Sequence, residues 1–320
     1  MEQQAKPPAT NRNPIVKIFI SPDEARLRAG WRLLIQLIIL WILTTIFSVG
    51  IGFVIAAGGT SVSSDNILFF GEIVSALAVT LSVYIARGYL DRRSFTSLGL
   101  KWDSRATIDL LTGVGIALAM FALIYGVLYA LGWISIQDFA WQTQNAGTWI
   151  NSLLTWFFFF ILAAWLEELL ARGYWLANLT EGLNLFWGVL ISSAAFSILH
   201  LLNPNPSLAS SLGIFLAGLF LAYACLASGQ LWLPIGLHLG WNFFEGPIFG
   251  FSVSGFETFK LINHTVSGPD LITGGTFGPE AGLILLPALG LGVLLIYFYT
   301  RSRPHRTEAV SPADEPGVTA

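Results

Sequence analysis

The feature that most constrains this chain is a succession of apolar runs that extends from Trp31 to Thr300. Most of these runs are long enough to cross a bilayer, whose hydrocarbon core is about 30 Å thick. A mean hydropathy of +0.68 and a charged fraction of only 11% fit a membrane protein and exclude an ordinary soluble domain. We therefore predict an all-α fold, a polytopic helical bundle integral to a membrane.

Glycine, proline and polar residues divide the apolar region into about eight predicted transmembrane helices. The fourth apolar run is too long for one perpendicular crossing, so we expect it to tilt or to place its first turn in the interface. The predicted spans are 31–57, 67–89, 108–133, 149–179, 185–202, 208–227, 231–249 and 281–299.

The distribution of basic residues predicts the orientation. With eight spans and a cytoplasmic N-terminus, every one of the 16 Lys and Arg except Lys260 falls on the cytoplasmic side. The positive-inside rule thus predicts that both termini are cytoplasmic. The predicted organisation is a cytoplasmic arm (1–30), a membrane domain (31–300, with its motif core at 149–249) and a disordered cytoplasmic tail (301–320).

Two adjacent carboxylates and an arginine interrupt the fourth apolar run. A charge at membrane depth is unfavourable by roughly 2.5–3.5 kcal/mol, so such residues usually face a protein interior and mark a site. On a helix, Glu168 and Arg172 are four residues apart and can pair. Glu167 lies about 100° from Glu168 around the helix axis, so its carboxylate is free to point elsewhere.

The fourth and fifth spans are predicted to form a helical hairpin with its turn near Gly182–Leu183. Glu167 precedes this turn by about 16 residues and His200 follows it by about 17. At ~1.5 Å per residue, both side chains lie roughly 25 Å from the turn. An antiparallel pair of helices would therefore bring Glu167 and His200 to the same depth.

The seventh span carries two further polar residues, His238 and Asn242, which are four apart and so share one helix face. Taken singly, each polar residue also fits a packing role, because histidine and asparagine can cross-link membrane helices. Gly236 and Gly240 predict close helix packing, because small residues let the backbones of two helices approach each other. Six such residues in three adjacent spans, however, fit a functional site better than separate packing contacts.

Three motifs carry a resemblance to a known family. Glu167-Glu168-x-x-x-Arg172, Phe196-x-x-x-His200 and His238-x-x-x-Asn242, in that order, resemble the motifs of the CPBP (Abi) family of intramembrane proteases. That family includes the type II CAAX prenyl proteases and bacterial proteins linked to bacteriocin self-protection. The motifs cover 167–242, about a quarter of the chain, and no catalytic position is missing.

The resemblance implies hydrolysis of a peptide bond inside the bilayer, with Glu167 and His200 holding and activating a water molecule. His238 and Asn242 would donate hydrogen bonds to the oxyanion, and Arg172 would position Glu168. This mechanism requires no cofactor. A competing mechanism uses a divalent metal such as zinc, because Glu167, His200 and His238 form a two-histidine, one-carboxylate set.

Two non-enzymatic functions remain open at this stage, an ion- or proton-coupled transporter and a scaffold that binds a membrane peptide without cutting it. The implied partners are a membrane-associated protein or peptide and the lipid bilayer, with no nucleic acid. Prenylated substrates are characteristic of the eukaryotic relatives. The expected location is a bacterial plasma membrane.

Overall fold

The structure is a computed structural model that describes residues 14–21, 26–58 and 64–302. The predicted cytoplasmic arm lies largely outside the described residues, as does nearly all of the predicted tail. The helices are α1 (Pro14–Phe19), α2 (Ala29–Gly58), α3 (Ser64–Ile85), α4 (Ser104–Ala130), α5 (Ala140–Thr143), α6 (Ala146–Glu168), α7 (Leu176–Gly182), α8 (Leu185–Leu199), α9 (Leu208–Ser228), α10 (Trp232–Phe243), α11 (Asp270–Thr273) and α12 (Leu285–Thr300).

The predicted all-α membrane bundle is confirmed, with a difference in the number of full-length helices. Six helices of the described chain are long and apolar enough to cross a membrane, rather than the eight predicted. The seventh and eighth predicted spans are also helical, but α10 and α12 have only 12 and 16 residues. A π-helical turn, Phe244–Ile248, extends α10. The six long helices are Ala29–Gly58, Asn66–Leu90, Ser104–Ala130, Ala146–Gly182, Leu185–Leu202 and Leu208–Ser228.

The fourth predicted span is one continuous 37-residue helix in which a π-helical segment separates α6 from α7. The segment, Leu169–Trp175, begins directly after the paired carboxylates, and π-helical turns are frequent at functional sites. A turn near Leu183 then reverses the chain. The Asn184 side chain accepts a hydrogen bond from the Trp187 backbone N–H at 3.1 Å and so caps α8.

Helix α10 packs closely against α4 because glycines remove the side chains between them. A Cβ atom on Gly236 would lie 2.1 Å from the Leu110 carbonyl oxygen, and one on Gly240 would lie 2.8 Å from the Ala117 Cβ. The close packing predicted for these two glycines is therefore present. It buries α10 along most of its length and fixes the position of His238.

A short antiparallel sheet forms in two segments that were predicted to be loops. Strand β1 (Ile134–Phe139) pairs with β2 (Ile262–Val266), so the segment after the third predicted span is tied to the segment between the seventh and eighth. Residues 250–284, which we call the cap, also bond to the turn that follows α8: the Asn203 Nδ2 donates to the Ser254 carbonyl at 3.0 Å. The cap thereby covers the end of the bundle that carries His200.

Buried ion pairs and a hydrogen bond join α2, α7 and the segment 86–91 that follows α3. Asp91 is 1% exposed and accepts hydrogen bonds from Arg32 at 2.7 Å and from Arg87 at 2.8 Å. The Asn178 Nδ2 donates to the same carboxylate at 3.2 Å. In the sequence, Arg32 and Arg87 indicate only the orientation of the chain, whereas the structure buries both of them between helices.

Candidate active site

Glu168 is the buried centre of the polar cluster. Its side chain is 0% exposed, and its Oε1 accepts hydrogen bonds from Arg172 Nη1 at 2.7 Å and from His238 Nδ1 at 2.9 Å. The pair with Arg172 is the one that the helical spacing predicts. The bond to His238 joins α6 to α10 and was not predicted, because the two residues are 70 positions apart.

Arg172 is held on three sides within the bundle. Besides its bond to Glu168, its Nη2 donates to the Gly218 carbonyl of α9 at 3.2 Å. The guanidinium also stacks over the Phe196 ring at 4.1 Å, a cation–π contact. Arg172 therefore joins three helices and fixes the Glu168 carboxylate in place.

Glu167 points away from Glu168, as its position on the helix predicts. Its Oε2 lies 3.8 Å from His200 Nε2 and 3.7 Å from His238 Nε2, and its side chain is 28% exposed. This oxygen has no hydrogen-bond partner among the described residues. The structure thus brings Glu167 and His200 together from the two arms of the hairpin, as the equal distances from the turn indicate.

The hydrogen bonds of the two histidines define their tautomers. The His200 Nδ1 lies 2.9 Å from the Phe196 carbonyl oxygen, which only accepts, so this nitrogen carries the hydrogen. The His238 Nδ1 likewise donates to the Glu168 carboxylate. In the neutral rings, Nε2 is therefore the nitrogen without a hydrogen, and it lies within 3.8 Å of Glu167 Oε2 in both histidines.

Asn242 lies one turn beyond His238 and lines the same cavity. Asn242 is 7% exposed, and its side-chain amide makes no hydrogen bond to another described residue. The amide is consequently available to a ligand. All six residues predicted for the site, Glu167, Glu168, Arg172, His200, His238 and Asn242, lie in or directly behind one region of the bundle.

The site opens into a cavity of about 510 Å³ between the helices and the cap. Its walls are mainly apolar side chains from α3, α6, α8, α9 and α10. Two carboxylates that sequence analysis missed, Glu72 and Glu280, also line it. Glu72 interrupts the second apolar run, a signal that could have identified it from the sequence.

Glu280 belongs to the cap and is held by two donors. Its Oε1 accepts from Trp241 Nε1 at 3.0 Å, and its Oε2 accepts from the Ser254 hydroxyl at 2.5 Å. Trp241 precedes Asn242 on α10, so Glu280 connects the cap to the helix that carries His238 and Asn242. The sequence gives no signal for this contact, because the cap's path is irregular.

The donor chemistry of the histidines is compatible with a metal ion. Metal-binding histidines usually donate their second ring N–H to a carboxylate or a carbonyl, as His238 and His200 do here. The described residues nevertheless contain no group of three or more such ligands already gathered at metal-binding geometry. The set Glu167, His200 and His238 thus remains a predicted ligand set.

The comparison with protein families agrees with the sequence motifs. Residues 149–244 match the family model described as Rce1-like, type II CAAX prenyl endopeptidase. The resemblance to this group of membrane proteases is thereby confirmed, and it supports an endopeptidase at the level of the family. The search found no significant match among curated proteins or solved structures.

Proposed function

We propose that this chain is an intramembrane endopeptidase that hydrolyses a peptide bond of a membrane-associated protein or peptide. The observation that carries the proposal is the convergence of Glu167 Oε2 with the Nε2 atoms of His200 and His238, at 3.8 and 3.7 Å, beside a large apolar cavity. A carboxylate and an imidazole placed in this way can together hold and activate a water molecule.

In the proposed reaction, a water molecule donates its hydrogens to Glu167 and to His200 Nε2. Its oxygen attacks the scissile carbonyl carbon while Glu167 takes the proton. As the C–N bond breaks, Glu167 returns that proton to the departing amine nitrogen. The products are a new carboxyl terminus and a new amino terminus, and Glu167 regains its charge.

The developing oxyanion requires donors, and Asn242 is the group best suited to supply one, because no described residue hydrogen-bonds to its amide. His238 is less able to donate a hydrogen bond to the oxyanion than the sequence motif suggests. Its Nδ1 is committed to Glu168, so its Nε2 donates to an oxyanion only when both ring nitrogens carry protons. When the His238 ring is neutral, its Nε2 has no hydrogen to donate, and Asn242 is left as the donor to the oxyanion.

A metal-assisted version of the reaction uses Glu167, His200 and His238 as ligands. A bound divalent ion would acidify the attacking water and polarise the scissile carbonyl. Glu168 and the Phe196 carbonyl would then orient the two imidazoles through their Nδ1–H groups. Both versions require the same carboxylate and histidines.

Proteoliposomes that carry the purified chain, incubated with a bacterial membrane-protein extract in H₂¹⁸O, test the proposal. Mass spectrometry would identify new peptide termini and the isotope in them. We expect one ¹⁸O atom in each new carboxyl terminus with the wild type and with Glu257→Gln, a control substitution at an exposed cap residue, and none with Glu167→Ala.

Equal patterns of termini from the wild type and the folded Glu167→Ala variant would refute the endopeptidase. Proton or ion flux in the same vesicles that depends on Glu167 would then indicate a transporter. Retention of extract peptides without cleavage would indicate a scaffold. Repeating the successful reaction with a chelator, and with added zinc, would decide between the two versions of the mechanism.

A further inference from the structure

The Glu72 carboxylate lines the cavity, but it has no role in the proposed hydrolysis. It lies on α3, where Leu68, Glu72 and Ser75 share the helix face that lines the cavity. It is about two turns from the start of this membrane-spanning helix. A charged side chain at such a position usually serves a pathway or a ligand.

No side chain in the described part of the chain pairs with Glu72. Each of the other carboxylates at the site has neighbours that account for it. Glu168 binds Arg172 and His238, Glu280 accepts two hydrogen bonds, and Glu167 faces the two histidines. Glu72 therefore has no hydrogen-bond or ion-pair partner among the described residues.

The charges around the cavity define what that partner must be. Glu72 interacts unfavourably with the like charge of Glu167 and favourably with His238, but a histidine offers a positive charge only when its ring is protonated. Among the described residues that line the cavity there is no lysine or arginine. A cation brought by the occupant would relieve this repulsion, whereas an anion would increase it.

We propose that Glu72 binds a basic side chain of the peptide that occupies the cavity, and so makes the site selective for a lysine or arginine within an otherwise apolar segment. This inference rests on the proposed function and names its substrate class. The apolar walls would bury the rest of the segment, and the Glu72 carboxylate would receive the ammonium or guanidinium group.

Binding of synthetic membrane-spanning peptides tests this inference without requiring cleavage. The peptides are identical except for one guest residue, lysine, norleucine or glutamate, placed at successive positions along the segment. Their affinity is measured by fluorescence anisotropy for the chain in lipid nanodiscs, with empty nanodiscs as the baseline. All variants carry His200→Asn, which removes a proposed catalytic group but keeps the Glu167 charge, so that no hydrolysis intervenes.

At one or more guest positions, the lysine peptide should bind at least about tenfold more tightly than the norleucine peptide. Addition of Glu72→Gln should reduce this preference to less than about twofold, and Glu72→Lys should favour the glutamate peptide instead. Glu257→Gln, on the exposed part of the cap, should leave the preference intact.

Equal affinity for the lysine and norleucine peptides at every position would overturn the inference, as would a preference that survives in the folded Glu72→Gln protein. Thermal unfolding of each variant verifies that it is folded, and the two Glu72 substitutions provide independent tests. Failure of the endopeptidase itself would be seen separately, as unchanged termini in the ¹⁸O experiment.

Discussion

The imidazole of His238 donates from Nδ1 to the Glu168 carboxylate at 2.9 Å, and this bond connects two of the three sequence motifs. Glu168 is also bound to Arg172, so one buried carboxylate orients both a cation and a histidine. The helical spacing alone assigns Glu168 to the arginine. The structure adds that Glu168 also holds His238 with its Nε2 toward Glu167.

Replacement of Glu168 by alanine should reduce both stability and activity. The substitution leaves Arg172 buried and unpaired, and breaking a buried pair costs about 3–5 kcal/mol. It also releases His238 from its orientation. We expect a clear fall in the melting temperature in detergent together with loss of cleavage. Unchanged melting and full activity would refute the pairing argument, and Glu257→Ala provides the control at an exposed position.

Asp91 should support the fold without contributing to the site. Asp91→Ala would leave Arg32 and Arg87 without their shared buried carboxylate, again at a cost of about 3–5 kcal/mol. The melting temperature should fall, while the cleavage rate of the protein that stays folded at low temperature should match the wild type. A selective loss of cleavage with normal melting would place Asp91 in the catalytic machinery instead.

Gly236 should be intolerant of a side chain. A Cβ atom there would lie 2.1 Å from the Leu110 carbonyl oxygen, so Gly236→Ala must push α10 away from α4 and displace His238. Gly115→Ala, on α4, is the matched control, because a Cβ at that position meets no atom within 4 Å. Thermal unfolding should show destabilisation of Gly236→Ala only. Gly115→Ala should not be destabilised, because alanine favours a helix more than glycine does. Equal melting of both variants would contradict the packing described above.

Local sequence patterns predicted most of the bundle and much of the site. The positions of the long helices follow from apolar runs and their breakers, and the Glu168–Arg172 pair follows from helical spacing. The meeting of Glu167 and His200 could be predicted because a hairpin converts sequence distance into depth. These predictions need only helix geometry and knowledge of which helices are neighbours.

The remaining contacts depend on tertiary structure. The bond between Glu168 and His238 requires the rotation of α10 about its axis, which glycine contacts with α4 determine. The pairing of β1 with β2 joins irregular segments more than 100 residues apart, which no periodicity relates. Burial of Arg32 and Arg87 around Asp91 was likewise hidden, because basic residues near helix ends usually indicate exposure at the membrane surface.

The most direct test of the central claim compares the termini of membrane proteins in cells that express the wild type or Glu167→Ala at equal levels. Glu167 makes no hydrogen bond to another described residue, so its loss should leave the protein folded while hydrolysis falls by a factor of at least about 10². The account predicts new termini, detected by mass spectrometry, only in wild-type cells. Identical termini in both strains under several growth conditions, with both proteins folded, would contradict it.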